Sequence, residues 1–170
     1  MNTNSKNKRP KLNIHKSNLE KILGIINILV ILTGWIYLIV LWNKIPTKIP
    51  THFGFSGKPD SWGSRNAILI LPIVGSLIYI LLSTISKFSQ YFNYTVDITE
   101  ENAERQYQNA RTFMTWMTME ITAVFLYLEW ESIHVAMGKF TSLGVWFLPI
   151  FLIALFGTLG FYINKMFKLK

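Results

Sequence analysis

The chain has 170 residues, of which 51% are hydrophobic and only 15% charged, against roughly 25% charged in an ordinary soluble domain. It carries a net charge of +8 and no cysteine, which excludes a disulfide framework, a thiolate metal site and a cysteine nucleophile. The Lys and Arg sit beside long apolar runs, so the charge reads as topology-setting, and no nucleic-acid partner is expected.

Residues 1–18, rich in Asn, Lys and Ser, read as a disordered basic arm. Residues 19–170 read as a single membrane domain. The run Ile22–Trp42 is uncharged and long enough to cross about 30 Å of hydrocarbon. It exceeds the roughly 7–15 residues of a signal-peptide core and no small-residue cleavage site follows it, so it reads as a retained anchor. Residues 43–66 are turn chemistry. Pro46, Pro50, Gly54, Gly57, Pro59 and Gly63 surround His52, Phe55, Asp60, Trp62 and Arg65, which predicts a structured loop at the membrane surface. A second span follows at Ala67–Ile85, with Pro72 and Gly75 inside it, where a membrane tolerates a kink.

Residues 87–112 read as a cytoplasmic loop and helix extension. Thr99 is the expected N-cap, with Glu100, Glu101 and Glu104 placing negative charge on the first turn. Nothing breaks a helix from Glu100 to about His134, roughly 50 Å at 1.5 Å per residue. About three turns should therefore project from the membrane before the third span, Phe113–Trp130. Ala103, Tyr107, Ala110, Met114 and Met117 form the expected packing stripe. Leu143–Ile163 is the fourth span. The predicted fold is an all-α integral membrane protein, a four-transmembrane-helix bundle with a structured extracytoplasmic loop between helices 1 and 2. Twelve of the 17 Lys and Arg fall on the side of the two termini, so the positive-inside rule puts both termini in the cytoplasm and the 43–66 loop outside.

The third span is polar on two opposed sides. Arg111, Thr115, Thr118, Thr122 and Glu129 share one; Glu120 lies on the other with Phe113, Trp116, Val124, Tyr127 and Glu131. Neither side can face lipid cheaply, so this helix should be central, packed by other spans or by a second copy in a homodimer. The threonines suit bonding across interfaces and to their own backbone. Glu120 costs at least about 2.5 kcal/mol at mid-bilayer on insertion scales. It is a candidate proton carrier, cation ligand or structural hydrogen-bond partner, with Asn27 as its expected mate. Outside, His52, Asp60, Glu129, Glu131 and His134 are candidates to converge. Two His with carboxylates suit a zinc-class cation, for which His52, Asp60, Glu131 and His134 are the ligand candidates. The competing reading is a His52–Asp60 hydrogen bond that fixes the loop. No phosphate-binding loop, nucleophile elbow or paired zinc-helix motif is present, and no cofactor is expected.

The residues Ile49-Pro50-Thr51-His52-Phe53-Gly54, Gly57-Lys58-Pro59-Asp60 and Trp62-Gly63-Ser64-Arg65 resemble a bacterial membrane domain of unknown function. That domain forms the N-terminal part of SdpI-type proteins, which give immunity to the sporulation-delaying toxin. Its usual form is a Pro-x-x-Ile-Pro-x-His run, then Gly-x-x-Asp, then an aromatic and Gly before the second span. His52, Gly57, Asp60, Trp62 and Gly63 occupy those positions. Asp97-Ile98-Thr99-Glu100-Glu101-Asn102, with Gln106-Tyr107, is similar to that family's segment before its third span. The resemblance covers roughly Ile22 to Trp130; SdpI-type proteins carry further spans in a C-terminal domain, where four are read here.

What the resemblance implies is a non-enzymatic protein of the bacterial cytoplasmic membrane that binds a hydrophobic peptide toxin or signal at the outer face, for immunity or sensing. The ligand-binding candidates are His52, Phe55, Gly57, Asp60, Trp62, Arg65, Glu120, Glu131 and His134. It also implies a cytoplasmic regulator held by the basic arm and the inner end of the third helix. The alternatives are a small transporter or transport accessory using Glu120 as a proton or cation site, and a membrane metalloenzyme.

Overall fold

The computed structural model describes residues 9–170. Four helices dominate: α1 (Asn18–Leu41), α2 (Ile70–Ile85), α3 (Ala103–Ala136) and α4 (Phe147–Lys168). The expectation of an all-α protein needs one correction. Between α1 and α2 the chain forms a two-stranded antiparallel sheet, β1 (Lys48–Phe53) and β2 (Pro59–Ser64). Short 3₁₀ helices at Trp42–Lys44 and Arg65–Leu69 flank it, and another at Ser86–Tyr91 follows α2.

Among the described residues, three helical segments are long and apolar enough to cross a membrane: Asn18–Lys44, Arg65–Tyr91 and Phe147–Lys168. Many of their Ile, Leu and Phe side chains point away from the bundle; Ile25, Leu29, Ile36 and Ile39 on α1 and Ile150, Ile153 and Phe156 on α4 are all exposed. An apolar surface of this extent fits hydrocarbon and not water. α3 is the least apolar helix and the central one, packing against α1, α2 and α4. Its two polar sides are thereby covered by other helices of the same chain. Small residues permit the close approach: a Cβ on Gly75 would stand 3.3 Å from Phe125, and one on Gly34 would stand 3.0 Å from the Glu129 carboxylate.

Polar bonds pin the helices together. Thr122 donates to the Asn27 carboxamide at 2.7 Å, and the Trp35 indole donates to Ser76 at 3.1 Å. Asn27 is therefore committed to Thr122, not to Glu120 as expected. Glu120 accepts from Thr158 on α4. Toward the start of α3, Gln106 and Asn109 donate to the Met166 and Tyr162 carbonyls at 2.9 and 3.2 Å, holding the end of α4 to the N-terminal half of α3.

The helix starts differ from the sequence reading for local reasons. Ser17 and Glu20 form a reciprocal capping box, so α1 begins four residues before the first apolar run. Thr99 does accept the Asn102 amide at 3.3 Å, but residues 100–102 form a turn and the regular helix begins at Ala103. Pro72 and Pro149 are each the third residue of their helix. A proline in the first turn of an α-helix needs no N–H, which suits both positions.

The basic arm is only partly as expected. Residues 1–8 lie outside the described residues. Residues 9–17 carry no helix or strand yet are tied down. Arg9 donates to the Phe92 carbonyl at 2.7 Å and lies over the Tyr94 ring. Arg111 on α3 donates to the carbonyls of Ile14 and His15 at 2.5 and 3.0 Å, and grips both oxygens of Glu20 at 2.9 Å each.

Two small cores sit at opposite ends of α3. Leu38, Ile45, Ile49, Ile68 and Ile133 pack beneath the sheet. Tyr94, Val96, Ala103 and Tyr107 pack at the other end, where Ala110 from the expected stripe joins them.

Candidate functional site

The sheet sits over the C-terminal ends of α1 and α3 because its own ends are fixed at both base and tip. At the base, the Arg65 amide donates to the Thr47 carbonyl at 2.9 Å. The Arg65 guanidinium donates to the Trp42 carbonyl at 3.1 Å and lies 4.7 Å from the Trp42 ring centre. Ile49 is buried in the core below. At the tip, Gly57 takes φ +73°, a left-handed conformation that glycine adopts without strain. Its carbonyl accepts from the Leu143 amide at 2.8 Å, docking the tip on the α3–α4 connection.

The predicted His52–Asp60 pairing is present: His52 Nδ1 and Asp60 Oδ1 are 2.5 Å apart. A regular hairpin would not align these two. The register steps from Pro50↔Trp62 to His52↔Ser61 and then to Phe53↔Pro59. One extra residue therefore falls on each strand in turn, at Thr51 and at Asp60. Such irregularities re-aim side chains and bring His52 and Asp60 to one edge. Both stay well exposed, at 68% and 50%, so the bond orients the strand end and adds little stability.

Two hollows open either side of Phe53 and Leu143. One, of about 410 Å³, is lined chiefly by Ile49, Pro50, Phe53, Ile68, Leu71 and Leu128. The other, of about 390 Å³, lies between the tip, Asp60 and the start of α4 at Val145, Phe147 and Leu148. His52 borders both. Phe55 at the tip is fully exposed, and Trp62 is about half exposed.

The remaining predicted residues divide. Glu131 works beneath the tip: the Tyr127 hydroxyl lies 2.9 Å from Glu131 Oε1 and 2.7 Å from the Leu143 carbonyl, supporting the residue on which Gly57 docks. His134 is elsewhere. Its Nδ1 lies 2.8 Å from the Trp130 carbonyl and 3.3 Å from the Tyr37 hydroxyl, and its ring stacks on Phe140. A carbonyl only accepts, so that contact requires Nδ1–H. The four-residue metal set therefore does not assemble, because Glu131 and His134 are each engaged away from His52 and Asp60. Among the described residues no three of His, Asp and Glu gather round one point. Glu129, also expected at the outer face, is buried against Gly34. Sequence reasoning missed Phe53 and Leu143, the shared wall of the hollows. Their signal was weak, one apolar residue beside a glycine in each case.

A family model described as domain of unknown function DUF1648 matches residues 29–75. An uncharacterized protein of Archaeoglobus fulgidus is 31% identical over 143 residues, covering 76% of this chain and 78% of that protein. The chain belongs to one family with this archaeal protein. The DUF1648 match takes in the C-terminal half of α1, the whole hairpin and the first turns of α2, ending at Gly75. It thus contains His52, Asp60, Trp62 and Arg65, together with Gly34. No solved structure matches the chain.

Proposed function

We propose that this DUF1648 protein is a non-enzymatic receptor of the cytoplasmic membrane, of the SdpI-like type, that holds a hydrophobic peptide toxin or signal at the outer face for immunity or sensing. In this reading all four helices cross, both termini are cytoplasmic and the hairpin faces outward. α3 crosses despite its acids because α1, α2 and α4 shield them from lipid. The observation that carries the proposal is the pair of mostly apolar hollows on either side of Phe53 and Leu143, bordered by the polar His52–Asp60 bond. Apolar walls with a few oriented polar groups are the usual form of a binding site. Phe55 at the tip and the exposed Val145 and Trp146 beside it extend the apolar surface. A hydrophobic peptide arriving along the membrane would meet that surface first. The strapped arm and the inner end of α3 are then the parts available to a cytoplasmic regulator.

The test is peptide challenge of cells expressing the chain. Phe55→Ala, Trp62→Ala and Asp60→Ala, each at wild-type abundance, should lose protection or the downstream response. Full retention by all three would remove the hairpin from the function. The transport reading built on Glu120 has less support, since that carboxyl is engaged by Thr158 as a link between α3 and α4.

A further inference from the structure

The side of α3 that carries Arg111, Thr115, Thr118, Thr122 and Glu129 is turned toward α1 and α2. At the end that bears the basic arm, a cavity of about 490 Å³ opens between these three helices and extends to Asn27 and Thr118. One turn further along α3, Thr122 holds the Asn27 carboxamide. Next comes a void of about 20 Å³ whose wall includes both Thr122 and Glu129, which is the size a single water needs. Glu129 is only 1% exposed, and its Oε1 has no hydrogen-bond partner among the described residues. Gly34 makes room for the other oxygen.

Beyond Glu129 the packing is mainly aliphatic, with the buried Ser132 and the Tyr37–His134 contact as its polar members. Four residues past Gly34 comes Leu38, four past Glu129 comes Ile133, and four before Pro72 comes Ile68. All three belong to the aliphatic cluster beneath the hairpin. The larger polar cavity leading toward Glu129 thus opens on the basic side.

We propose that Glu129 is a proton-binding site reached by water from the basic end. A carboxylate enclosed without a cation is costly, whereas a carboxylic acid in the same place is not. Around it, α1 contributes one titratable group, Tyr37, which interacts with it electrostatically. α2 contributes Pro72, Gly75 and Ser76 to the adjoining void, β1 contributes Ile49 to the plug beyond it, and no Lys or Arg lines the void. One carboxylate beside space for one water gives too few oxygens for a metal cation, which leaves the proton as the ligand. The proton enters through cavity water and the Thr122 hydroxyl, adds to the carboxylate, and leaves by the same route. No other reactant is needed. This goes beyond peptide binding at the hairpin and does not depend on it.

The test uses the full chain in lipid and reads the infrared carbonyl stretch of a protonated carboxyl. The chain lacks cysteine, so Thr115→Cys places a unique thiol in the cavity. That thiol should react with a water-soluble trimethylammonium methanethiosulfonate. A carboxylic-acid band should vanish in Glu129→Gln and persist in Glu120→Gln. Labelling Thr115→Cys should slow its hydrogen–deuterium exchange roughly tenfold or more, as a raised transfer barrier does. A melting curve confirms that each variant is folded. The proposal is overturned if no acid band depends on Glu129, if the thiol does not react, or if exchange ignores the label.

Discussion

Arg111→Met is the most demanding test of how the basic end is built. In the native chain the Arg111 guanidinium takes both oxygens of Glu20 at 2.9 Å and two arm carbonyls. The side chains are 12% and 4% exposed and border the polar cavity, so solvent takes over only part of these bonds. Removing one member of such a buried pair leaves the other charge uncompensated, at a cost of about 3–5 kcal/mol. Methionine keeps much of the volume, so the loss reports the polar bonds and not a cavity. Glu20→Gln added to Arg111→Met takes away the stranded charge and should return roughly half of that cost. The assay is unfolding in mixed micelles followed by far-ultraviolet circular dichroism, with the single and double variants compared in one cycle. Residues 9–17 should also become sensitive to protease in Arg111→Met. A loss below about 1 kcal/mol, or a double variant no better than the single, would refute the strap.

Gly57→Ala should lower stability by about 1–2 kcal/mol, because φ +73° is strained for any residue with a Cβ, and thiol labelling of Leu143→Cys should quicken as the tip lifts from Leu143. Thr122→Val keeps the shape but removes the donor to Asn27. It should cost about 0.6–1.7 kcal/mol, the range for hydrogen bonds between membrane helices, and unfolding in mixed micelles measures it.

Much of the helical layout could be read before the structure, because hydrocarbon-facing helices advertise themselves by length and composition. The central place of α3 was also legible: a helix with Thr on one side and Glu120 on the other has nowhere to go but the middle. His52 and Asp60 were legible as a pair, but the two strands were not. Pro50, Pro59 and three glycines in so short a segment read as turns, and offsetting irregularities at Thr51 and Asp60 leave no period-two pattern. The partner of Glu120 was missed because Thr158 sits in an apolar run and looks like filler. The order of residues 9–17 was missed for a different reason. What holds them is Arg111 bonding to backbone carbonyls, and a carbonyl has no residue identity to read. Pro72 and Pro149 did carry a usable signal, since proline near a helix start marks the first turn more often than a kink.

The account rests on α3 being threaded through the bilayer, with the hairpin on one side and its first turns on the other. Single cysteines at Lys58, in the hairpin turn, and at Glu104, in the first turn of α3, are both exposed and unique in a chain without native cysteine. In intact cells a membrane-impermeant thiol reagent should modify position 58 and spare position 104 until the membrane is opened. Modification of 104 with protection of 58 would invert the topology, and equal modification of both would mean that α3 does not cross.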